Sequence, residues 1–155
     1  IVFYVYKSDK LAKLLESKRS KILEHKIVWY NQSLEQGMVK MARFNRRVAI
    51  LASKSVAPHV DLDFNQFTVL WIVKACDHVL GCSATQPTYP NDCHHRRPRH
   101  RLEQSIIEGD IIVIDTHKLH WLNSTGELLV ALSIEFDLMP DMSMIEELYE
   151  EALSC

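Results

Sequence analysis

The sequence predicts a mainly β domain with an N-terminal helix and a short C-terminal helix. From residue 27 onward, about eight short apolar runs are separated by polar turns, a spacing typical of a β-sandwich or barrel. No periodic segment of helical length separates these runs, which argues against a parallel α/β sheet. Because a chain of 155 residues has the usual size of one domain, residues 1–155 are expected to form a single unit.

The predicted elements follow one another along the chain. Ile1–Tyr6 is expected to form a first strand, and Ser8–Lys26 is expected to form a helix with apolar residues near one face. Near the end of the chain, Ser143–Glu146 has the capping-box pattern that begins a helix. The other strands are expected at Ile27–Tyr30, Met38–Phe44, Val48–Ala52, Phe67–Val73, His78–Ser83, Ser105–Ile107, Ile111–Asp115 and Leu128–Phe136.

Charge and hydropathy exclude some classes of partner. The chain has 18 basic and 20 acidic side chains, so its overall charge gives no argument for general nucleic-acid binding. Its apolar runs are far shorter than the ~20 residues of a membrane span, so no membrane partner is expected. The apolar start Ile1–Tyr6 is too short for a signal-peptide core. We therefore expect a cytoplasmic protein.

A long loop is predicted over Ala84–Arg101, which contains three prolines and few apolar residues. It ends in a basic cluster at residues 94–101. Arginine binds anionic groups well, so Arg96, Arg97 and Arg99 are candidates for contacting a substrate or forming a lid. Association with nucleic acid through this loop is an alternative, although the loop has no Phe or Trp to stack on bases. The acidic C-terminal segment is an equally good intramolecular partner.

The four cysteines are Cys76, Cys82, Cys93 and Cys155. A secreted disulfide framework is normally denser and occurs in a smaller chain. Cys93 precedes two histidines, but structural zinc sites usually contain a pair of ligands two to four residues apart. Free thiols are therefore the better interpretation.

The segment Pro58-His59-Val60-Asp61 is the first with metal-binding chemistry. Residues two apart in an extended strand project to the same side. His59 and Asp61 are therefore expected to face a common point. They would supply an imidazole and a carboxylate, two of the three ligands of a two-histidine, one-carboxylate metal site, which leaves coordination positions open on iron(II).

A hairpin later in the chain offers the third ligand. Gly109-Asp110 predicts a tight turn into the apolar strand Ile111–Asp115. His117 and His120 lie beyond this strand. Because they are three residues apart, only one of them is expected to point inward from a regular strand. His120 is the preferred third ligand, and His117 is the alternative.

These motifs together resemble a known family. His59-x-Asp61, a long gap, and then Gly109-Asp110 and His120 resemble the double-stranded β-helix oxygenases that depend on iron(II) and 2-oxoglutarate. The stretch from Gly109 to His120, with Asn123, is also similar to the second histidine motif of cupins. The resemblance implies a jelly-roll, cupin-like fold and an Fe(II) site at the two histidines and the aspartate. It also implies a dioxygenase that uses 2-oxoglutarate to hydroxylate a small-molecule or peptide substrate.

The sequence departs from these families at several positions. Asp115 and His117 stand where cupins have proline and glycine. Many 2-oxoglutarate oxygenases grip the far carboxylate of the cosubstrate with an arginine after the distal histidine, but no Lys or Arg follows Lys118. Asparaginyl hydroxylases and Jumonji-type oxygenases use a strand lysine instead, which implies that role for Lys74, whose alternative is a salt bridge to Asp77. A cupin-like metal- or small-ligand-binding protein without oxygenase turnover is the second interpretation.

Overall fold

The computed structural model describes residues 3–30, 40–44, 46–62, 65–83 and 101–154. This part of the chain forms ten β-strands and two α-helices. The helices are α1 (Asp9–Tyr30) and α2 (Met142–Leu153). The strands are β1 (Phe3–Tyr6), β2 (Lys40–Arg43), β3 (Ala49–Ser53), β4 (Val56–His59), β5 (Phe67–Lys74), β6 (Val79–Ser83), β7 (Arg101–Ser105), β8 (Ile111–Asp115), β9 (His120–Asn123) and β10 (Leu129–Phe136).

The strands form two antiparallel sheets. The larger sheet has six strands in the order β1-β8-β5-β10-β3-β2, and the smaller sheet has four in the order β4-β9-β6-β7. Every recorded pairing within them is antiparallel. The prediction of a mainly β fold with two helices is therefore confirmed for the described residues.

The central strands of the larger sheet are buried on both faces. In β5, Val69, Trp71 and Val73 belong to the core cluster that includes the helices. Ile72 belongs to a second cluster, which includes Leu80 of the smaller sheet. Successive side chains of a strand point to opposite faces. Burial of both faces therefore explains the nearly continuous apolar sequence of this strand.

The two helices cover one face of the larger sheet. Leu11 and Leu15 of α1 are buried in the same cluster as Tyr149 of α2. The ring of Tyr149 lies 4.8 Å from that of Trp71 between centroids, and its hydroxyl donates to the carbonyl of Leu132 at 2.7 Å. Neither helix is both long enough and apolar enough to cross a membrane.

Both helices depart from their predicted bounds. Ile27–Tyr30 was predicted as a strand but forms the last turn of α1, because no glycine or proline stops the helix after Lys26. The capping residue of α2 is Asp141 rather than Ser143. The Asp141 carboxylate accepts a hydrogen bond from the backbone N–H of Met144 at 2.8 Å, which satisfies one of the unpaired donors at the helix start.

Three strands of the smaller sheet also differ from the prediction. The strand predicted at Ser105–Ile107 lies earlier, at β7, where all five side chains are exposed. β7 is held in the sheet by its pairing with β6. Because none of its side chains is buried, its sequence shows no pattern from which the strand could be predicted. β4 and β9 are four residues each and were absent from the predicted strands. Of the predicted loop over Ala84–Arg101, Arg101 begins β7 and the rest lies outside the described residues.

Gly81 allows the smaller sheet to pack around a tryptophan. It stands opposite Trp121 in the pairing of β6 with β9. A Cβ atom added at Gly81 would overlap the indole ring of Trp121, which is 1% exposed. No flexible end of a side chain is available to move aside, because the contact is with the rigid ring itself.

Gly81→Ala is therefore expected to destabilise the fold by about 1–3 kcal/mol, the usual cost of overpacking a buried site. The measurement is the midpoint of urea unfolding. The matched control is the same substitution in a Trp121→Leu background, where the smaller side chain removes the overlap. An equal loss of stability in both backgrounds would contradict this explanation.

His78 closes the turn between β5 and β6 from a buried position. Its Nδ1 accepts a hydrogen bond from the backbone N–H of Cys76 at 2.9 Å. Its Nε2 therefore carries the proton and donates to the carbonyl of Glu127 at 3.1 Å. Burial lowers the pKa of His78 below its ordinary value, because the charged ring would lose solvation.

This pKa shift predicts a loss of stability in mild acid. Below pH ~6.5 the unfolded chain binds a proton at His78 that the folded chain resists. The free energy of unfolding should therefore fall as the pH drops below this value. The measurement is urea unfolding at a series of pH values from about 7.5 to about 5.5.

The control for this measurement is His78→Gln, which has an acceptor and a donor but does not titrate in this range. The free energy of unfolding of this variant should decrease less than that of the wild type as the pH is lowered. Parallel curves for the two proteins would show that His78 does not cause the loss.

Candidate metal centre

His59, Asp61 and His120 come together beside the pairing of β4 with β9. His59 stands opposite His120 in this pairing. Asp61 follows β4 and is held by its backbone N–H, which donates to the carbonyl of Thr116 at 2.8 Å. One potential ligand atom from each of the three residues lies within 4.8 Å of the others. Within the described ranges, they form the only such group of His, Cys, Asp or Glu residues.

The carboxylate of Asp61 lies between the two imidazoles. Its Oδ2 is 3.3 Å from Nε2 of His120 and 3.6 Å from Nε2 of His59. The ring centroids of the histidines are 4.3 Å apart. The His120 side chain is 10% exposed, whereas those of His59 and Asp61 are each 32% exposed. The three donor atoms are therefore partly accessible.

Each of the two histidines is oriented by a hydrogen bond to the carbonyl two residues before it. Nδ1 of His59 lies 2.8 Å from the carbonyl of Ala57, and Nδ1 of His120 lies 2.8 Å from the carbonyl of Lys118. A carbonyl oxygen can only accept, so each Nδ1 carries a proton. Each Nε2 can then donate to Asp61 when it is protonated, or bind a metal through its lone pair when it is not. Histidines that bind metals are usually oriented by such a hydrogen bond from their other nitrogen.

The electrostatics of the three residues favour a cation beside Asp61. Burial opposes the charged form of Asp61, but hydrogen bonds from His120 and His59 outweigh it and hold the pKa of Asp61 well below its usual value. Burial also opposes the charged form of His59. Hydrogen bonds to Asp61 and Ala57 outweigh that effect and raise the pKa of His59. A proton or a divalent metal ion supplies the positive charge that this arrangement favours.

The three residues line a cavity of about 480 Å³ between the two sheets, a volume typical of small-molecule sites. Most of its other walls are apolar. The larger sheet contributes Leu51, Leu70, Ile112, Ile114 and Leu129. The smaller sheet and the segment after β7 contribute Val56, Leu80, Trp121, Leu122 and Ile106.

The polar lining consists mainly of hydroxyl groups. Apart from the three metal-ligand candidates, Glu135 is the ionisable residue of the described lining, and no Lys or Arg is present there. The hydroxyl residues are Ser53, Thr68, Thr116 and Ser133. Sequence reasoning did not single out these four residues, although Ser133 carries a signal as a polar residue inside the apolar strand β10.

Lys74 does not reach this cavity. It ends β5, its side chain is exposed, and it is not among the lining residues. Thr68, which does line the cavity, lies six residues earlier on the same strand. Six strand residues span about 20 Å, so the structure separates Lys74 from the metal-binding end of the cavity.

Of the remaining predicted site residues, the structure describes only His117. His117 is in the turn between β8 and β9, where its backbone N–H donates to Asp115, and His120 occupies the position near Asp61. Arg96, Arg97 and Arg99 lie outside the described residues. Their assignment to substrate contact or to a lid therefore stays a prediction.

The described cysteines do not contribute to the metal centre. Cys76 is exposed and Cys82 is buried, and both are free thiols. Burial raises the pKa of Cys82 to about 11. Its thiol therefore stays protonated at neutral pH, whereas metal binding uses the thiolate. Cys93 and Cys155 lie outside the described residues.

Replacing His59, Asp61 or His120 by Ala is expected to abolish stoichiometric binding of iron(II), because each removes one of three ligands. The measurement is anaerobic titration with iron(II), followed by metal analysis of the desalted protein. Binding by the wild type should also weaken as the pH falls, because protons compete with the metal for Nε2 of His59, whose pKa is raised.

The matched control for these variants is His117→Ala. It removes a histidine from the same hairpin but none of the three converging donor atoms, so metal binding should persist. Retention of metal by His120→Ala together with its loss in His117→Ala would reverse the assignment of the third ligand.

Comparison with known proteins identifies no family for this sequence. No protein-family model matches the sequence, and no curated protein matches it. The function is inferred below from the structure: the three donor atoms, the two carbonyls that orient the histidines, and the cavity that the donors line.

Proposed function

We propose that the chain is a mononuclear non-haem iron(II) oxygenase that uses O₂ and a 2-oxo acid to hydroxylate a small-molecule or peptide substrate. The observation that carries this proposal is the convergence of His59, Asp61 and His120 on one cavity. Two neutral imidazoles and one carboxylate are the ligand set that holds iron(II) while leaving coordination positions open.

The order of the strands supports the jelly-roll fold that the resemblance implies. β3, β5, β8 and β10 belong to the larger sheet, whereas β4, β6, β7 and β9 belong to the smaller sheet. The chain therefore passes repeatedly from one sheet to the other. Eight strands in two facing sheets are typical of jelly rolls, including the cupins. In this interpretation β1 and β2 extend the larger sheet at its two edges.

The residues present fit the metal. Nε2 of His59, Nε2 of His120 and the carboxylate of Asp61 would hold it, with both rings fixed by hydrogen bonds to backbone carbonyls. When bound, iron(II) supplies the activation of O₂, of which one atom goes to the 2-oxo acid as it loses CO₂ and the other to a substrate C–H bond. The apolar walls of the cavity would limit the access of water to this chemistry.

The described residues do not fit 2-oxoglutarate as well as they fit the metal. Its far carboxylate needs a cation or several hydrogen-bond donors when it is buried. The described lining offers no Lys or Arg, and Lys74 is exposed outside it. The proposal therefore extends to 2-oxo acids as a class and does not depend on 2-oxoglutarate.

The same observation favours a second candidate function. A cupin-like protein that binds a metal or a small ligand, without oxygenase turnover, would need the three ligands but no site for a dicarboxylic cosubstrate. A third function, association with nucleic acid through residues 94–101, stays a prediction, because this segment lies outside the described residues except for Arg101.

Oxygen consumption tests the proposed activity. Protein loaded with iron(II) without oxygen is mixed with O₂ and one of three acids: 2-oxoglutarate, pyruvate or 4-methyl-2-oxopentanoate. At least one acid is expected to support O₂ uptake and to release CO₂ from its labelled carboxyl group. Asp61→Ala should show neither, because it lacks the anionic ligand.

Leu102→Ala is the matched control for this assay, because Leu102 is exposed on β7 and does not line the cavity. Its O₂ uptake should equal that of the wild type. If the wild type binds iron(II) through the three ligands but consumes no O₂ with any of the acids, the oxygenase proposal is wrong. The binding protein would then be the better assignment.

A further inference from the structure

The cavity beside the metal centre is apolar and carries no described positive charge. Leu70 and Ile112 line it from the larger sheet, and Leu80 and Leu122 line it from the smaller sheet. Outside the three metal-ligand candidates, the one ionisable residue of the described lining is Glu135, which is acidic and exposed. Among the described lining residues and the ion they would hold, the metal is therefore the main source of positive charge for a bound anion.

The charge of the centre matches a ligand with a single negative charge. A divalent ion and the Asp61 carboxylate together carry one net positive charge, since histidine binds metals as a neutral ligand. An acid with one carboxylate neutralises this charge when it binds the metal. A second carboxylate placed among the apolar walls would find no cation in the described lining, and an unpaired buried charge is strongly unfavourable.

The hydroxyl groups of the lining do not replace a cation. Thr116 already donates its hydroxyl hydrogen towards the carbonyls of Asn65 and Gln66, at 3.1 and 3.0 Å. Thr68 and Ser133 are neutral donors, and each can give one hydrogen bond. Such groups suit an uncharged polar atom better than a full carboxylate.

We propose that this cavity binds a monocarboxylic 2-oxo acid with an uncharged, apolar tail in preference to a dicarboxylic 2-oxo acid. The oxo acid group would bind at the metal, and the tail would contact the leucine and isoleucine walls. This inference rests on the proposed function, because it requires a metal held by His59, Asp61 and His120.

Anaerobic calorimetric titration of the iron(II)-loaded protein tests the preference. The two probes are 4-methyl-2-oxopentanoate, which has a branched apolar tail, and 2-oxoglutarate, which has a second carboxylate. The branched acid is expected to bind at least about tenfold more tightly. Because 4-methylpentanoate lacks the oxo group, it should bind more weakly than 4-methyl-2-oxopentanoate, which shows the contribution of the chelating group.

A positive charge introduced into the wall should abolish the preference. Leu70 is half-buried and lines the cavity, so Leu70→Lys places an ammonium group beside it. This variant should lower the affinity ratio of the two acids by at least about tenfold. Leu102→Lys adds the same charge on exposed β7 and should leave the ratio unchanged. If Leu70→Lys does not fold, the wild-type ratio alone decides.

Equal or tighter binding of 2-oxoglutarate by the wild type would overturn the inference, and so would failure of both oxo acids to bind. Metal analysis of the same samples separates this result from failure of the proposed function. If the protein holds no iron(II), the proposed function fails and the inference fails with it. If it holds iron(II) and prefers 2-oxoglutarate, the preference alone is wrong.

Discussion

The larger sheet must bury both of its faces, and the rest of the structure depends on this constraint. Trp71 in β5 contacts Tyr149 of α2 on one face, while its neighbours Leu70 and Ile72 face the smaller sheet. The helices thus close one side, and the smaller sheet closes the other around the cavity. Because consecutive residues of one strand serve the two faces, the helical core and the cavity share a backbone and are expected to stabilise each other.

The metal centre depends in turn on how the smaller sheet is packed. His120 points towards the cavity, and its neighbour Trp121 pairs with Gly81. The packed indole ring of Trp121 is therefore next in sequence to the candidate ligand His120. The backbone also sets the chemistry of the donors, because carbonyls two residues before His59 and His120 fix the proton of each ring on Nδ1. Each Nε2 is then left to face Asp61, where it can donate a proton or bind a metal through its lone pair.

This arrangement divides recognition between the metal and the walls. The three ligands leave a centre with one net positive charge once a divalent ion is bound, and the described walls add no cation. A ligand would be held by one charged interaction at the metal and otherwise by burial of apolar surface. Glu135 near the cavity would further disfavour a second negative charge. Size and shape of the apolar tail would then determine specificity.

Local patterns in the sequence determined the elements and motifs that depend on near neighbours. The apolar runs predicted β5, β8 and β10, and the His59-x-Asp61 motif with the turn at Gly109 predicted the three ligands. Pairing between distant segments decided the rest. It formed the exposed strand β7, whose side chains carry no burial pattern, and it decided which residues line the cavity between the two sheets, a set from which Lys74 is absent. The orienting carbonyls lie only two residues before their histidines, but no residue type marks them in the sequence, since every residue has a carbonyl.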